Sequence, residues 1–557
     1  MNQHATPSLP ILAYGHETAP KLFRARCQQW AASPALRHKK KGIWSSVTWA
    51  GYYDNVRAVG LALDGLGLKR GDAIAILSEN RPEWLYADFG AQCMGILSTG
   101  VYPTASPEQV QFILNDARVS VLFVENQEQF DKVVAVRHLC PTLKHIVITD
   151  LKGLRGLADP MTIDFAQFRA NGGARSKSQA AAFEQAIDAG QPADIAFLVY
   201  TSGTTGAPKG AMIANRNLMF QIASVQQYLQ LQPLDRTLSF LPLCHIAERM
   251  SSVYNPLALG QIVHFPENAG TVFNDVREVA PHVLFGPPRF WEKLYSQVTL
   301  YMQDAIPLAR VVYAKVLAEG AALAQARLDG KPVTGWRATR YAIAQRFVLS
   351  NLRSFLGLQN IKTAMTGAAP VPPDLLRWYM AAGIDLLEAF GMTETCGFCT
   401  SMPPARIKIG TAGVRAEGTE IKLGPENEVM VRGPNVFAGY WQLPEKTRET
   451  VDAEGWLHTG DCGEIDEDGY LSIKDRLKDI IITSGGKNIT PSNIENHLKF
   501  SPYVSDAVVI GEGRHFLTCL IMIDQDTVAK YAQDKQIPYT DFASMTRAPD
   551  IVALIRA

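Results

Sequence analysis

The 557-residue chain has little cysteine, no long apolar run and no surplus of charge of either sign. Its 8 cysteines stand apart, at 27, 93, 140, 244, 396, 399, 462 and 519, a usage that suits a reducing compartment and excludes a disulfide-stapled secreted fold. Cys396 and Cys399 have CxxC spacing, but no second such pair and no His pair at ligand spacing accompanies them, so no zinc or redox role is read into them. No stretch approaches the ~20 apolar residues of a membrane span. Met1 to Pro20 lacks the basic and apolar regions of a secretory signal. Lys+Arg 54 against Asp+Glu 54 leaves a formal net charge of 0, which argues against a dedicated nucleic-acid binder, because phosphate neutralisation needs a basic surplus. The one dense basic run, Arg37-His38-Lys39-Lys40-Lys41, reads as a solvated face. What is present is an ordinary globular balance, with hydrophobic residues at 47% and charged residues at 19%. The length suffices for three or four units at about 150 residues each.

The order of apolar runs points to α/β architecture. Asp72–Leu77 and Val119–Val124 read as buried strands around a helix over Pro82–Met94, and Lys362–Thr366, Pro373–Ala382 and Ile384–Ala389 repeat the strand, helix, strand alternation. Such alternation implies parallel pairing with crossovers, hence two doubly wound sheets. Trp291 to Phe355 is a long helical region in which Tyr341, Ala344, Phe347, Val348, Leu352 and Phe355 predict one buried face. The Ala/Gly/Ser-rich stretch Ala170–Ala182 reads as a loop. Glu420–Leu423 and Glu428–Val431 flank Gly424-Pro425-Glu426-Asn427 as a hairpin, and Asp468-Gly469 marks another turn, so a small antiparallel β subdomain is expected. The charged segment 475–479, followed by Gly485-Gly486, reads as a domain boundary between a body, 1–474, and a small α+β domain, 480–557.

The most informative segment is Tyr200-Thr201-Ser202-Gly203-Thr204-Thr205-Gly206-Ala207-Pro208-Lys209-Gly210, which follows the apolar strand Ile195–Val199. Backbone N–H groups, hydroxyls and Lys209 together make a cradle for phosphate oxygens. It is not a Walker A loop, since Pro208 and Gly210 stand where Gly and Ser or Thr are needed. The string resembles the phosphate-binding signature of the adenylate-forming superfamily. Thr366-Gly367-Ala368-Ala369-Pro370, Glu388-Ala389-Phe390-Gly391-Met392-Thr393-Glu394-Thr395, Trp456-Leu457-His458-Thr459-Gly460-Asp461 and Asp475-Arg476-Leu477-Lys478-Asp479 are similar to four more of its motifs, in order. The resemblance implies that Thr201 to Gly206 and Lys209 hold phosphates and that Gly367, Ala368, Phe390, Gly391, Met392 and Thr393 surround adenine. Asp461 and Arg476 meet the ribose, Glu394 and Thr201 hold Mg²⁺, and Lys478 brings a second cation to the reacting centre. Lys209, His245, Glu394 and Lys478 are then the catalytic set.

The activity so implied is two-step ligation, in which a carboxylate attacks the α-phosphorus of ATP and CoA then displaces AMP. Positioning and charge neutralisation carry such chemistry. Leu241-Pro242-Leu243-Cys244-His245 resembles the segment that places a histidine near the substrate carboxylate. The helical insertion and Arg476–Ile489 resemble the long-chain fatty acyl-CoA synthetases. Arg249 stands where some members have an aromatic gate, so no chain-length gate is carried over. Gly485 and Gly486 are expected beside the CoA arm after a domain swing. No segment after Asp524 resembles the family's C-terminal lysine motif, and the small domain is expected to be incomplete. Another acid:CoA ligase, an acyl-AMP ligase serving a carrier protein and a weakly catalytic nucleotide- or acyl-binding protein stay open as readings. A cytoplasmic place is expected, with peripheral membrane contact left open.

Overall fold

The computed structural model describes residues 13–154, 156–201, 207–225, 229, 231–331 and 335–556. Its largest sheet has seven strands, in the spatial order Thr162–Asp164, His145–Ile148, Val119–Val124, Ala73–Leu77, Leu97–Val101, Ile195–Thr201 and Lys209–Ala214. All neighbours are parallel except the last pair. Ala73–Leu77 is buried at every position, as expected of a strand covered on both faces. The second sheet is mixed: Val283–Gly286, Thr363–Gly367 and Leu386–Met392 run parallel, and Gly397–Ser401 and Val414–Arg415 turn antiparallel. A third sheet, unforeseen in the sequence pattern, joins Pro34–Lys40 and Ile43–Thr48 to Arg236–Leu238 and Ile262–Phe265. The expected antiparallel subdomain is a four-stranded meander of Glu420–Leu423, Glu428–Arg432, Leu457–Ile465 and Leu471–Arg476.

Three expectations need correction. Ala170–Ala182 lies inside a helix, Phe165–Asp188, kinked at Gln179. Gly172 serves close packing there, since a Cβ on it would sit 1.7 Å from the Ala58 carbonyl of the neighbouring helix Trp49–Gly65. Lys39 is no solvated charge, because it is buried in its strand and donates to Asp275 Oδ1 at 2.8 Å and Glu278 Oε2 at 2.7 Å. In the helical region, a π turn at Gln345–Leu349 inserts one residue and rotates the face, so that Leu349 and Leu356 are buried while Phe347 is 68% exposed.

Beyond the strand that ends at Arg476, the chain forms a unit with its own small core of Ile523, Val528, Ala532, Met545 and Ile551. The helix Pro491–Lys499 and the hairpin Val504–Ile510 with Thr518–Ile523 belong to it. The unit rests on the helix Pro288–Asp304, where Phe500 stacks on Tyr295 with ring centres 5.3 Å apart and Lys530 pairs with Asp304 at 2.9 Å.

Candidate active site

The strand Ile195–Thr201 is a buried apolar run that delivers Thr201 to the edge of a cavity of about 1130 Å³. Lys209 stands opposite Thr201 in the returning strand, and Thr201 Oγ1 donates to the Lys209 carbonyl at 3.4 Å. The Lys209 ammonium lies 4.7 Å from the centre of the Tyr440 ring, and the Tyr440 hydroxyl donates to Glu394 Oε1 at 2.5 Å. Cation, ring, hydroxyl and carboxylate therefore form one connected group. Tyr440 is fixed because Ala438–Trp441 runs along the strand edge, with Met212 N–H bonded to the Gly439 carbonyl at 2.9 Å and Trp441 N–H to the Gly210 carbonyl at 2.7 Å. Burial, with the Glu394 charge adding to it, holds the Tyr440 phenol far above its ordinary value, so it remains a donor.

Phe390, Gly391 and Met392 end one strand, and a 3₁₀ turn, Thr393–Thr395, presents Glu394. Only glycine fits at 391, where a Cβ would approach the Gly397 carbonyl to 2.0 Å. The turn is held from below by buried Gln221, whose Nε2 donates to the carbonyls of Thr395, Cys396 and Phe398 at 3.0, 3.2 and 2.7 Å. Across the cleft Ala368 takes φ +66, a left-handed conformation that costs a non-glycine residue about 1 kcal/mol or more. Gly367 beside it tolerates no side chain, since a Cβ would meet the Ala389 carbonyl at 2.7 Å. Cys396 and Cys399 are buried behind this strand with their thiols pushed up by burial, Cys399 to about 12, so both stay protonated.

His245 caps the short helix Ile246–Arg249, which continues through a π turn, Met250–Tyr254, into Asn255–Leu259. Its Nδ1 accepts from the Ala247 N–H at 3.2 Å, which leaves the proton of the neutral ring on Nε2. Burial lowers the His245 pKa and favours that neutral form. Glu248, three residues on, does not face the cavity with His245. It is turned into the core, where Ser239 and Ser252 donate to Oε1 at 2.7 and 2.6 Å, and burial raises its carboxyl to about 8. Arg249 also points inward, fully buried against Asp88 at 2.9 Å with its guanidinium carbon 3.8 Å from the Phe197 ring centre. The position that invited comparison with an aromatic gate is thus a core ion pair.

Near residues 475–479, Asp461 lies on Leu457–Ile465 opposite Arg476 and pairs with its Nε at 3.5 Å. Burial, reinforced by the charges of Asp475, Glu428 and Asp479 and opposed by Arg476, raises the Asp461 carboxyl to about 6. Glu428 secures this strand by accepting from the Gly460 N–H at 2.9 Å while its other oxygen meets His458 Nδ1 at 2.7 Å.

Thr201, Lys209, His245, Gly367, Ala368, Phe390, Gly391, Met392, Thr393, Glu394, Arg476 and Lys478 all line the one cavity. Ser202, Gly203, Thr204, Thr205 and Gly206 lie outside the described residues. Asp461 sits one residue beyond the lining residue Gly460, behind Arg476. Gly485 and Gly486 are at an exposed hairpin tip away from the cavity lining. The sequence pattern does not single out Tyr440, Gln221 or Glu428: Gln221 lies inside the helix Asn215–Val225, Tyr440 in a loop beside the strand Lys209–Ala214, and only Glu428 opens a strand. Among the described residues, no three His, Cys, Asp or Glu side chains gather as a metal site. Glu394 still suits Mg²⁺, which needs only one or two protein carboxylates when substrate phosphates and water complete its shell.

A polar end built for a nucleotide and an apolar wall of Val199, Val225, Ile246, Val283, Phe285 and Met365 share this cavity, and the fold that carries them is that of AMP-binding enzymes. The chain belongs to that family: residues 23–441 match the AMP-binding enzyme and residues 478–544 its C-terminal domain. It is 31% identical over 535 residues to the long-chain-fatty-acid–CoA ligase ACSBG1 of Bos taurus, covering 93% of this chain and 72% of the relative. It is 32% identical over 528 residues to the long-chain-fatty-acid–CoA ligase FadD15 of Mycobacterium bovis, covering 93% and 84%. The crystal structure of the anthranilate CoA ligase AuaEII in complex with anthranoyl-AMP shares the fold at a TM-score of 0.69 and 21% identity, covering 95% of this chain and 92% of that one.

Proposed function

We propose that this chain is an ATP-dependent acid–thiol ligase that joins a long-chain fatty acid to CoA, releasing AMP and pyrophosphate. The observation that carries the reading is the single cavity in which the Lys209–Tyr440–Glu394 group meets an extended apolar wall across His245. In the first half-reaction a carboxylate oxygen bonds to the α-phosphorus of ATP and pyrophosphate leaves. His245 Nε2–H donates to the other carboxylate oxygen and orients it, while Lys209 and Lys478 neutralise charge gathering on the phosphates. Glu394 and Thr201, which line the same cavity, would hold Mg²⁺, which would supply further neutralisation of the phosphates. In the second half-reaction the CoA sulfur, having given its proton to solvent, bonds to the acyl carbon as the bond to AMP breaks. Rotation about 475–479 is the step that brings Gly485 and Gly486 to the CoA arm.

The reading is tested by ATP–pyrophosphate exchange and acyl-CoA formation across acids of eight to twenty carbons and aromatic acids, with CoA supplied or omitted. Exchange that depends on a long-chain acid, with CoA-dependent AMP release, is expected. Exchange with aromatic acids alone, or AMP release indifferent to CoA, sinks the assignment.

Where the enzyme works is part of the same reading. No helix among the described residues is long and apolar enough to cross a membrane. Tyr301, Ile306, Leu308, Val311, Trp336 and Phe347 are exposed on the helical region, which carries seven basic against three acidic residues from 301 to 347. That combination favours peripheral contact with an anionic bilayer from the cytoplasmic side. Sedimentation with anionic but not zwitterionic vesicles checks it.

A further inference from the structure

His245 reaches the cavity from a loop that neither a strand nor a helix holds. The strand Arg236–Leu238 ends its ladder where the Ser239 N–H donates to the His264 carbonyl at 2.8 Å, and the helix begins only at Ile246. Leu243 and Cys244 are buried in this connection. The polar groups of residues 239–245 therefore need other partners, because backbone buried away from water is costly unless it is bonded.

The main partner comes from a different sheet. Half-buried Asn80 lies just past Ala73–Leu77, a central strand of the seven-stranded sheet. Its Nδ2 donates to the Leu241 carbonyl at 2.6 Å and to Ser239 Oγ at 2.9 Å, while its Oδ1 accepts from the Leu243 N–H at 3.1 Å. One amide thus spends its two donors and an acceptor on three residues of the loop, in the place a neighbouring strand would fill. The rest of the loop is fastened around that clip. The Leu243 carbonyl accepts from Arg249 Nε at 3.2 Å, the Pro242 carbonyl from the His245 N–H at 2.9 Å, and Ser239 Oγ donates to Glu248 Oε1 at 2.7 Å. Leu243, gripped at both its N–H and its carbonyl, sits inside the tight turn Pro242–His245. That turn cannot pivot without breaking one of those bonds, so the clip fixes the direction in which the imidazole leaves the backbone. Asn80 is not among the residues that line the cavity, and its route to the reacting groups runs through this loop.

We propose that Asn80 is a positioning residue for His245, holding the loop so that Nε2–H meets the carboxylate of the acid. The inference rests on the ligase reading, in which His245 orients that carboxylate, and adds the residue that sets where His245 stands.

The test compares Asn80→Ala, His245→Ala and the double variant, each in the full chain, by ATP–pyrophosphate exchange with hexadecanoic acid. Asn80→Ala is expected to lower kcat/KM for the acid roughly 10- to 100-fold, since a misplacement of about 1 Å at a reacting group costs up to about 100-fold. Its calorimetric dissociation constant for ATP should stay within about twofold of wild type, which also reports that the variant is folded. In the His245→Ala background the same substitution should cost less than about threefold, because the group it positions is gone. If Asn80→Ala does not fold, Asn80→Asp makes the same comparison, keeping the volume and the acceptor for the Leu243 N–H while removing the amide donors. Equal losses in the two backgrounds, a loss matched in ATP binding, or an Asn80 variant within threefold of wild type on the acid overturns the positioning role and leaves the ligase intact. No exchange by the wild-type chain with any acid overturns the ligase reading and the positioning role with it.

Discussion

Replacing Tyr440 by phenylalanine removes one oxygen from the cavity wall and leaves the ring in place. In the native chain that oxygen donates to Glu394 Oε1 at 2.5 Å, and Glu394 is itself buried, so the carboxylate loses a donor that water does not readily replace. A hydrogen bond to a charged group is worth about 1.5–3 kcal/mol. At about 1.4 kcal/mol per decade, the adenylation rate should fall roughly 10- to 150-fold. The Lys209 contact with the ring face survives in Tyr440→Phe and is lost in Tyr440→Leu, where about 0.5–2 kcal/mol more should disappear. ATP–pyrophosphate exchange reads both variants, and thioester formation from supplied acyl adenylate separates adenylation from general damage. A Tyr440→Phe enzyme within threefold of wild type in exchange, or one equally impaired in both half-reactions, would refute the claim that this hydroxyl organises Glu394.

Four further outcomes are expected. The Glu248 carboxyl, raised by burial from 4.5 to about 8, binds a proton more tightly in the folded than in the unfolded chain. Its contribution to stability is therefore full below about pH 4.5 and is lost as pH rises through about 8, so the wild-type melting temperature should decline across that window more steeply than that of Glu248→Gln. Arg249→Met strands buried Asp88 and should cost about 3–5 kcal/mol in urea unfolding, part of which returns on adding Asp88→Asn; a single-variant cost under about 1 kcal/mol contradicts the buried-pair account. Gly391→Ala forces its Cβ against the Gly397 carbonyl and should weaken calorimetric ATP binding roughly tenfold or more, through about 1–3 kcal/mol of overpacking beside Phe390. In the proposed complex an ionised Asp461 can accept from both ribose hydroxyls and protonation turns one oxygen into a donor, so the KM for ATP should rise as pH falls below about 6, while Asp461→Asn should bind ATP more weakly and show no such slope.

The motif residues were legible because each sits within a short contiguous run whose local geometry does the work. Gly391 follows from a backbone approach, Thr201 and Lys209 face one another across two adjacent strands, and Glu394 rides on a single turn. Tyr440, Gln221 and Glu428 were not legible, since each acts at a distance of 30 to 177 residues along the chain. Composition misled where packing decided. Gly172 packs where the adjacent helix leaves room for no side chain, and Lys39 is buried because two acidic partners come from a segment more than 230 residues away. The buried ends of Glu248 and Arg249 follow from the direction in which a short helix faces, which spacing alone does not give.

The shared cavity has a consequence for the lifetime of the intermediate. ATP and the fatty acid each enter with one set of contacts, but the acyl adenylate is gripped at both ends at once. When either end lets go, the other keeps it at high local concentration, so escape requires two releases to coincide. The joined molecule therefore leaves far more slowly than its parts, which gives the proposed rotation of the small domain time to finish before the activated acid reaches water.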